Sequence, residues 1–302
     1  MFIEPVARFR SPFKTKFGIP RQAGLVAGLR GRIVFEPSFR SADAVRGLEG
    51  FDYLWLIWGF SSNRPRPVTE PVEVTEPAEV TSRIERSFPV TEPAEVTEPV
   101  EVTKNVQSLR QAQRPIQLQT QRPTTFHATV RPPRLGGNER IGVFASRSPF
   151  RPNGLGLSSV RIESIEYDGR DSDGKPIGPV INVLGADLMD GTPIYDIKPY
   201  VTYTDSHPEA ASGFVDDREW KPLKVEFAVA PGASTRSATG AAGGWTEADI
   251  EALKEVLAQD PRPKYQNDPE KVYGMIFNDA DIRFKVKDGT LTVIDIKPAA
   301  KI

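Results

Sequence analysis

The run DYLWLIWGF, Asp52–Phe60, decides the fold class. It is aromatic and β-prone and is bounded by Gly50 and Ser61, the marks of a buried strand. Ile33–Phe35 reads as a short strand and Asp43–Leu48 (DAVRGL) as a helical turn. Arg140–Ser146 (RIGVFAS) reads as another strand. Leu157–Tyr167 (LSSVRIESIEY) alternates through Val160, Ile162 and Ile165, with irregularities. Val180–Leu184 leads into the turn DLMDGTP, and Tyr195–Ile197 follows it. Several short strands with turn signals and hardly any helix predict a mainly β protein, an antiparallel barrel or sandwich.

Beyond His207 the composition changes. Ala210–Gly244 is rich in Ala, Gly, Ser and Thr and is expected to contain a linker. Thr246 then opens a helix, with Asp249 placed to complete a capping box and Ile250, Leu253 and Leu257 on one face. Pro261 and Pro263 stop it. Arg283–Lys287 and Thr290–Ile296 flank Asp288-Gly289, a hairpin signal. The expected organisation is a barrel domain over 1–205, a linker-rich segment over 206–244 and a small α+β domain over 245–302.

One stretch stands apart. Val68–Thr103 repeats the hexad T-E-P-x-E-V and holds nine Glu against Arg83 and Arg86. Pro at that frequency forbids a continuous helix or a central strand. Lys104–Arg122 is rich in Gln and Arg and has no acid. Residues 64–124 therefore read as a low-complexity insertion into the barrel, disordered or extended. Long surface insertions cost little closure entropy.

The chain of 302 residues has no Cys and only His127 and His207 as histidines. That excludes disulfides, Cys-ligated zinc, iron–sulfur clusters, a cysteine nucleophile and a His-rich metal site. No metal is expected. The N-terminus carries an early acid and no apolar core, so it does not read as a signal peptide, and no apolar run is long enough to span a bilayer. A soluble, cytoplasmic protein without a membrane partner is expected. The formal net charge is −1, yet Arg8–Arg32 carries seven basic residues and no acid, and Arg131–Arg151 carries five Arg against Glu139. Folding that joins these segments would present a phosphate-binding face.

Gly154-Leu155-Gly156-Leu157 is a near miss to a dinucleotide loop, because a β-like alternation follows where a helix would be needed. Two readings remain for these glycines: close approach of backbone to a ligand, or a plain tight turn. Three further segments are polar where a barrel needs no polarity. They are PRQAG (Pro20–Gly24), RPPRLGGNERIGVFASRSPFRPNGLG (Arg131–Gly156) and DLMDGTPIYDIKPY (Asp187–Tyr200). With these motifs in this order, the chain resembles the TsaA/TrmO family of S-adenosylmethionine-dependent tRNA methyltransferases. These add a methyl group to threonylcarbamoyladenosine beside the anticodon. The resemblance runs over Ile3–Phe60, Val130–Tyr200 and the part around AQDPRPKY (Ala258–Tyr265). It implies a closed antiparallel β-barrel with a small C-terminal domain, S-adenosylmethionine as cofactor, tRNA as partner, and a homodimer with cofactor sites near the subunit contact.

Residue by residue, the resemblance implies cofactor contacts at Arg21, Gln22 and Ala23, at Phe60 and Ser61, at Arg147, at Leu157, and at Leu184, Gly185, Ala186 and Asp187. Ser61 stands where the family often has His. Arg131, Arg134, Arg140 and Arg151 are expected to face tRNA phosphate. Arg262 and Tyr265 are candidates for holding the substrate nucleotide, Tyr265 by stacking or, equally, as packing under the C-terminal helix. Asp196, Lys198 and Tyr200 are the candidate catalytic residues. Asp196 is a possible proton acceptor, solvent is another, and Asp196 and Lys198 read equally as a pair. Attack by the exocyclic nitrogen on an activated methyl needs mainly alignment. The alternatives are a non-catalytic barrel that binds S-adenosylmethionine or RNA, and a methyltransferase of another acceptor.

Overall fold

The computed structural model describes residues 3–60, 128–132, 135, 139–217, 221–231, 245–262 and 268–300. The 64–124 insertion, Ser61, Arg134 and Tyr265 lie outside the described residues. In chain order the strands are β1 (Ala7–Arg10), β2 (Arg30–Phe35), β3 (Tyr53–Gly59), β4 (Thr129–Val130), β5 (Ile141–Gly142), β6 (Leu155–Arg170), β7 (Pro176–Leu184), β8 (Pro193–Pro199), β9 (Lys224–Phe227), β10 (Tyr273–Phe277), β11 (Ala280–Lys287) and β12 (Thr290–Pro298).

Six of them close a barrel in the order β1-β2-β7-β6-β3-β8, and every neighbouring pair is antiparallel. Closure leaves no edge for another chain to pair with. The opening run becomes β3, central between β6 and β8. Leu54, Leu56 and Trp58 point inward, while Tyr53, Trp55 and Ile57 face out. The interior is filled by these and by Phe9, Ile33, Val160, Ile181 and Ile194. Gly31 is required there: a Cβ at that position would sit 2.2 Å from the Phe9 ring.

Arg140–Ser146 is a strand only at Ile141–Gly142, after which Val143–Ala145 turns as a single 3₁₀ coil. The cause is Arg151. Its guanidinium donates to the carbonyls of Val143 and Ser146, so those oxygens join a turn rather than a ladder. The linker-rich segment also contains β9, which pairs in parallel with β12. That completes a four-stranded sheet, β10-β11-β12-β9, packed on the helix Glu247–Ala258. The helix has the expected capping box at Thr246 and Asp249. Asp288 and Gly289 both take positive φ, as a type I′ hairpin requires.

The second core does not belong to the C-terminal residues alone. Phe13, Val26 and Leu29, from the β1–β2 connection, are buried in it beside Leu253, Met275, Phe277 and Phe284. Among the described residues, no helix is long and apolar enough to cross a membrane.

Candidate functional site

Because every neighbouring pair in the barrel is antiparallel, the ends of β1, β3 and β7 and the starts of β2, β6 and β8 lie at the same mouth. The connections that cross this mouth are the motif segments: PRQAG between β1 and β2, ASRSPFRPNG before β6, and GADLMDGT between β7 and β8. They enclose a cleft of about 830 Å³. Pockets of roughly 300–1,000 Å³ commonly take small molecules or cofactors. The cleft continues onto the outer face of β3 and β6 along Trp55, Ile57 and Leu157.

Arg21, Gln22, Ala23, Phe60, Arg147, Leu157 and Asp187 all line this one cleft. Arg147 donates to the Gln22 side-chain oxygen at 2.6 Å, joining two motif segments 125 positions apart. Leu184, Gly185 and Ala186 form a bracket behind it. The Gly185 N–H donates to the Leu29 carbonyl, and its own carbonyl accepts from the Gly24 N–H, both at 2.8 Å. Gly185 takes φ +79° to do so. The bracket holds PRQAG against the end of β7 and delivers Asp187 to the cleft.

Asp187 is the single acid among the described cleft residues, against Lys16, Arg21, Arg147 and Arg151. Burial pushes its carboxyl above the ordinary carboxylate range. A hydrogen bond from Ser158, backbone N–H bonds including that of Ala23, and nearby Arg147 oppose the rise. The Ser158 hydroxyl donates to Asp187 Oδ1 at 2.6 Å, and the Trp58 indole N–H donates to Ser158 Oγ at 3.0 Å. Trp58 also meets Phe60 edge-on, with ring centroids 4.3 Å apart.

Trp58, Ser158 and Lys16 were not among the expected site residues. The alternation of the strands places Trp58 and Ser158 inward, and only strand register reveals that they meet. The tight-turn reading holds at Gly154, and Gly156 has a further use within the strand. Gly154 makes a turn at φ +60°, but Gly156 lies under the Trp58 ring, where a Cβ would approach within 2.4 Å.

The catalytic candidates stand beside the cleft rather than in its wall. Asp196 and Lys198 lie on β8, in register with Ile57 and Trp55 of β3. Both are exposed, and their charged groups are 3.8 Å apart. Tyr200 packs its ring against Trp55, whose indole N–H donates to Asp205 at 2.9 Å. Of the expected RNA-facing arginines, Arg131 and Arg140 are exposed. Arg151 lines the cleft, stands over the Phe144 ring and binds the two carbonyls named above. Arg262 is turned inward, bonded through two nitrogens to Asp260, with both side chains only 12% exposed.

Comparison with known proteins agrees in extent and in order. A family model described as the tRNA-methyltransferase O N-terminal domain matches residues 8–86 and 89–206, and one described as the TrmO C-terminal domain matches 221–299. The tRNA (adenine(37)-N6)-methyltransferase of Escherichia coli K12 is 32% identical, covering 98% of this chain and 97% of that protein. A putative S-adenosylmethionine-dependent methyltransferase, RcsF, of Pseudomonas aeruginosa is 30% identical over 97% of this chain and 96% of that one. The crystal structure of TrmO from Pseudomonas aeruginosa superposes with a TM-score of 0.58 at 24% identity, over 98% of this chain and 97% of that one. The barrel, the cleft built from its motif loops and the match of both domain models in sequence order place the chain in the tRNA-methyltransferase O family.

Proposed function

We propose that this chain transfers a methyl group from S-adenosylmethionine to N6 of adenine 37 in tRNA, acting on the threonylcarbamoyl-modified nucleoside. One observation carries the reading: Arg21, Gln22, Ala23, Phe60, Arg147, Leu157 and Asp187, from separate segments, line a single cleft at one barrel mouth. Their chemistry fits the cofactor. Arg21 and Arg147 suit its carboxylate. Asp187 suits its N–H and O–H donors. Trp58 and Phe60 offer an apolar wall for a flat ring.

When bound, the cofactor supplies an already activated methyl carbon, so the protein's task is alignment. Arg147 is braced by Gln22, and Asp187 by Ser158 and the adjoining Ala23, so a cation and a carboxyl are held near each other on one part of the wall. Asp196 is the proposed proton acceptor, with Lys198 beside it on the strand next to the cleft and Tyr200 just past the end of that strand. Arg131, Arg140 and Arg151 would bind phosphate, with affinity falling as salt rises. A cytoplasmic homodimer is part of the proposal. Leu157, 58% exposed beside Trp55 and Ile57, extends the cleft onto an apolar outer face suited to a second copy. Light scattering on the purified protein tests that point.

The functional test is turnover read by nucleoside mass spectrometry, with S-adenosylmethionine and tRNA carrying unmethylated threonylcarbamoyladenosine. One added methyl on that nucleoside is expected. Arg147→Ala should lower turnover by at least about 10²-fold, the cost of a misplaced reactant, while tRNA binding in a gel shift is largely kept. No methyl gain by a preparation that binds the cofactor would overturn the reading in favour of a non-catalytic binder or another acceptor.

A further inference from the structure

The Trp58–Ser158–Asp187 chain has a direction set by proton counting. An indole N–H is only a donor, so it occupies a lone pair of Ser158 Oγ. A serine hydroxyl has one proton, and here it goes to Asp187 Oδ1. At 2.6 Å this bond lies in the range of hydroxyl bonds to an ionised carboxylate. Ser158 is 3% exposed and Trp58 8%, so neither has water as an easy substitute partner. Each link polarises the next.

The chain also has a built seat. Trp58 is in register with Gly156, and Ser158 is two residues further along the same face of β6. The Trp58 ring covers Gly156 because no side chain is there. Its indole N–H then reaches the diagonal neighbour, a distance that aromatic and other long side chains bridge.

We propose that Ser158, oriented by Trp58, is a positioning residue for cofactor binding: it fixes the Asp187 carboxylate as a charged acceptor on the cleft wall. The inference rests on the reading of the cleft as an S-adenosylmethionine site. The bound cofactor brings an ammonium, ribose hydroxyls and an adenine amine, all donors, and an ionised carboxylate accepts from such groups through both oxygens. Burial works against ionisation of Asp187, and the Ser158 bond works for it. The other groups that favour the charge are Arg147 and the backbone N–H bonds, and Lys16, Arg21 and Arg151 complete the charged lining. None of these replaces a donated hydroxyl proton at 2.6 Å.

The experiment is cofactor affinity by isothermal titration calorimetry as a function of pH, on the full chain. In the wild type, affinity for S-adenosylmethionine falls on the acid side as Asp187 takes up a proton. Ser158→Ala removes a bond that holds the carboxyl down, so the acid limb moves to higher pH, by about one unit for a bond to a charged group. Ser158→Thr keeps the hydroxyl and restores the wild-type limb. Trp58→Phe, which keeps the ring and loses the N–H, shifts the limb in the same direction by less. Asp187→Asn flattens it. Melting curves by circular dichroism identify any variant that fails to fold, and Trp58→Phe then carries the test in place of Ser158→Ala. A wild type that binds while Ser158→Ala and Trp58→Phe keep its pH profile would overturn this proposal alone. A folded wild type that does not bind S-adenosylmethionine would overturn the reading of the cleft and this proposal with it.

Discussion

Trp58 can lie across β6 because position 156 has no side chain. Gly156→Ala forces either the ring or the strand to move. Overpacking of this kind typically costs about 1–3 kcal/mol. A lowered melting temperature and weakened S-adenosylmethionine binding are expected together. Calorimetry showing both unchanged would mean that the ring tolerates a Cβ beneath it. Asp187 yields a second prediction, with opposite signs for stability and for binding. Its folded carboxyl titrates above the ordinary range because burial dominates. Between the unfolded and folded values the folded state holds the extra proton, so this group's contribution to stability falls as pH rises through that window. Asp187→Asn removes the dependence. The stability difference between variant and wild type, from urea titrations without cofactor, should shift in favour of Asn with rising pH and then level off. A pH-independent difference would place the titration elsewhere. At this scale the site was only partly legible. Arg21, Gln22, Arg147 and Asp187 stood out as polar motif residues, whereas Ser158 is one of two adjacent serines in an alternating run. Only the register of β3 on β6 makes it a partner of Trp58.

Elements were legible where their causes are local and obscure where the causes are remote. The helix Glu247–Ala258 announces itself through Thr246 and Asp249, whose side chains satisfy each other's backbone N–H groups. The type I′ turn announces itself through Asp288-Gly289, the pair that best tolerates two positive φ angles. By contrast, Val143–Ala145 departs from a strand because of Arg151, eight positions from the first carbonyl it binds. β9 is hidden because its partner β12 begins 66 positions after it begins. The six barrel strands share a cause that alternation does capture in most cases, although β1, four residues long, falls below what a pattern can reveal. The capping box is testable at this scale. Thr246→Ala should cost about 1 kcal/mol, within the usual 0.5–2 for a lost N-cap. Chemical denaturation measures it, and Thr246→Ser should recover most of the loss. Equal stability of the Ala variant would show that the helix is held by its packing face alone.

At the scale of the whole molecule, the C-terminal part contributes no described residue to the cleft wall, yet it holds one of the cleft's loops. The PRQAG segment is flanked by Phe13 on one side and by Val26 and Leu29 on the other, and all three are buried in the C-terminal core. Phe13 meets Phe277 edge-on at 5.5 Å between centroids. Gly18, at φ +96°, passes so close to Met275 that a Cβ would come within 2.5 Å of its terminal methyl. The Asn278 N–H donates to the Pro12 carbonyl at 3.1 Å. The loop carrying Arg21 and Gln22 is therefore strung between anchors in one core, while Arg147 and Asp187 are set by the other part of the fold. Loosening the C-terminal core should misplace Arg21 and Gln22 relative to Arg147 and weaken the cofactor site from a distance. Phe277→Ala provides the test. Truncating a buried Phe costs about 3–5 kcal/mol, so a clear loss of stability is expected. S-adenosylmethionine affinity, measured well below the variant's melting temperature where the chain is still folded, should also fall. A control at the end of β11 opposite the Ala280 that pairs with Phe277, Val286→Ala, destabilises the same core and should leave affinity nearer the wild-type value. Equal affinities for the two variants at matched stability would show that the C-terminal core adds stability only and does not set the geometry of the cleft.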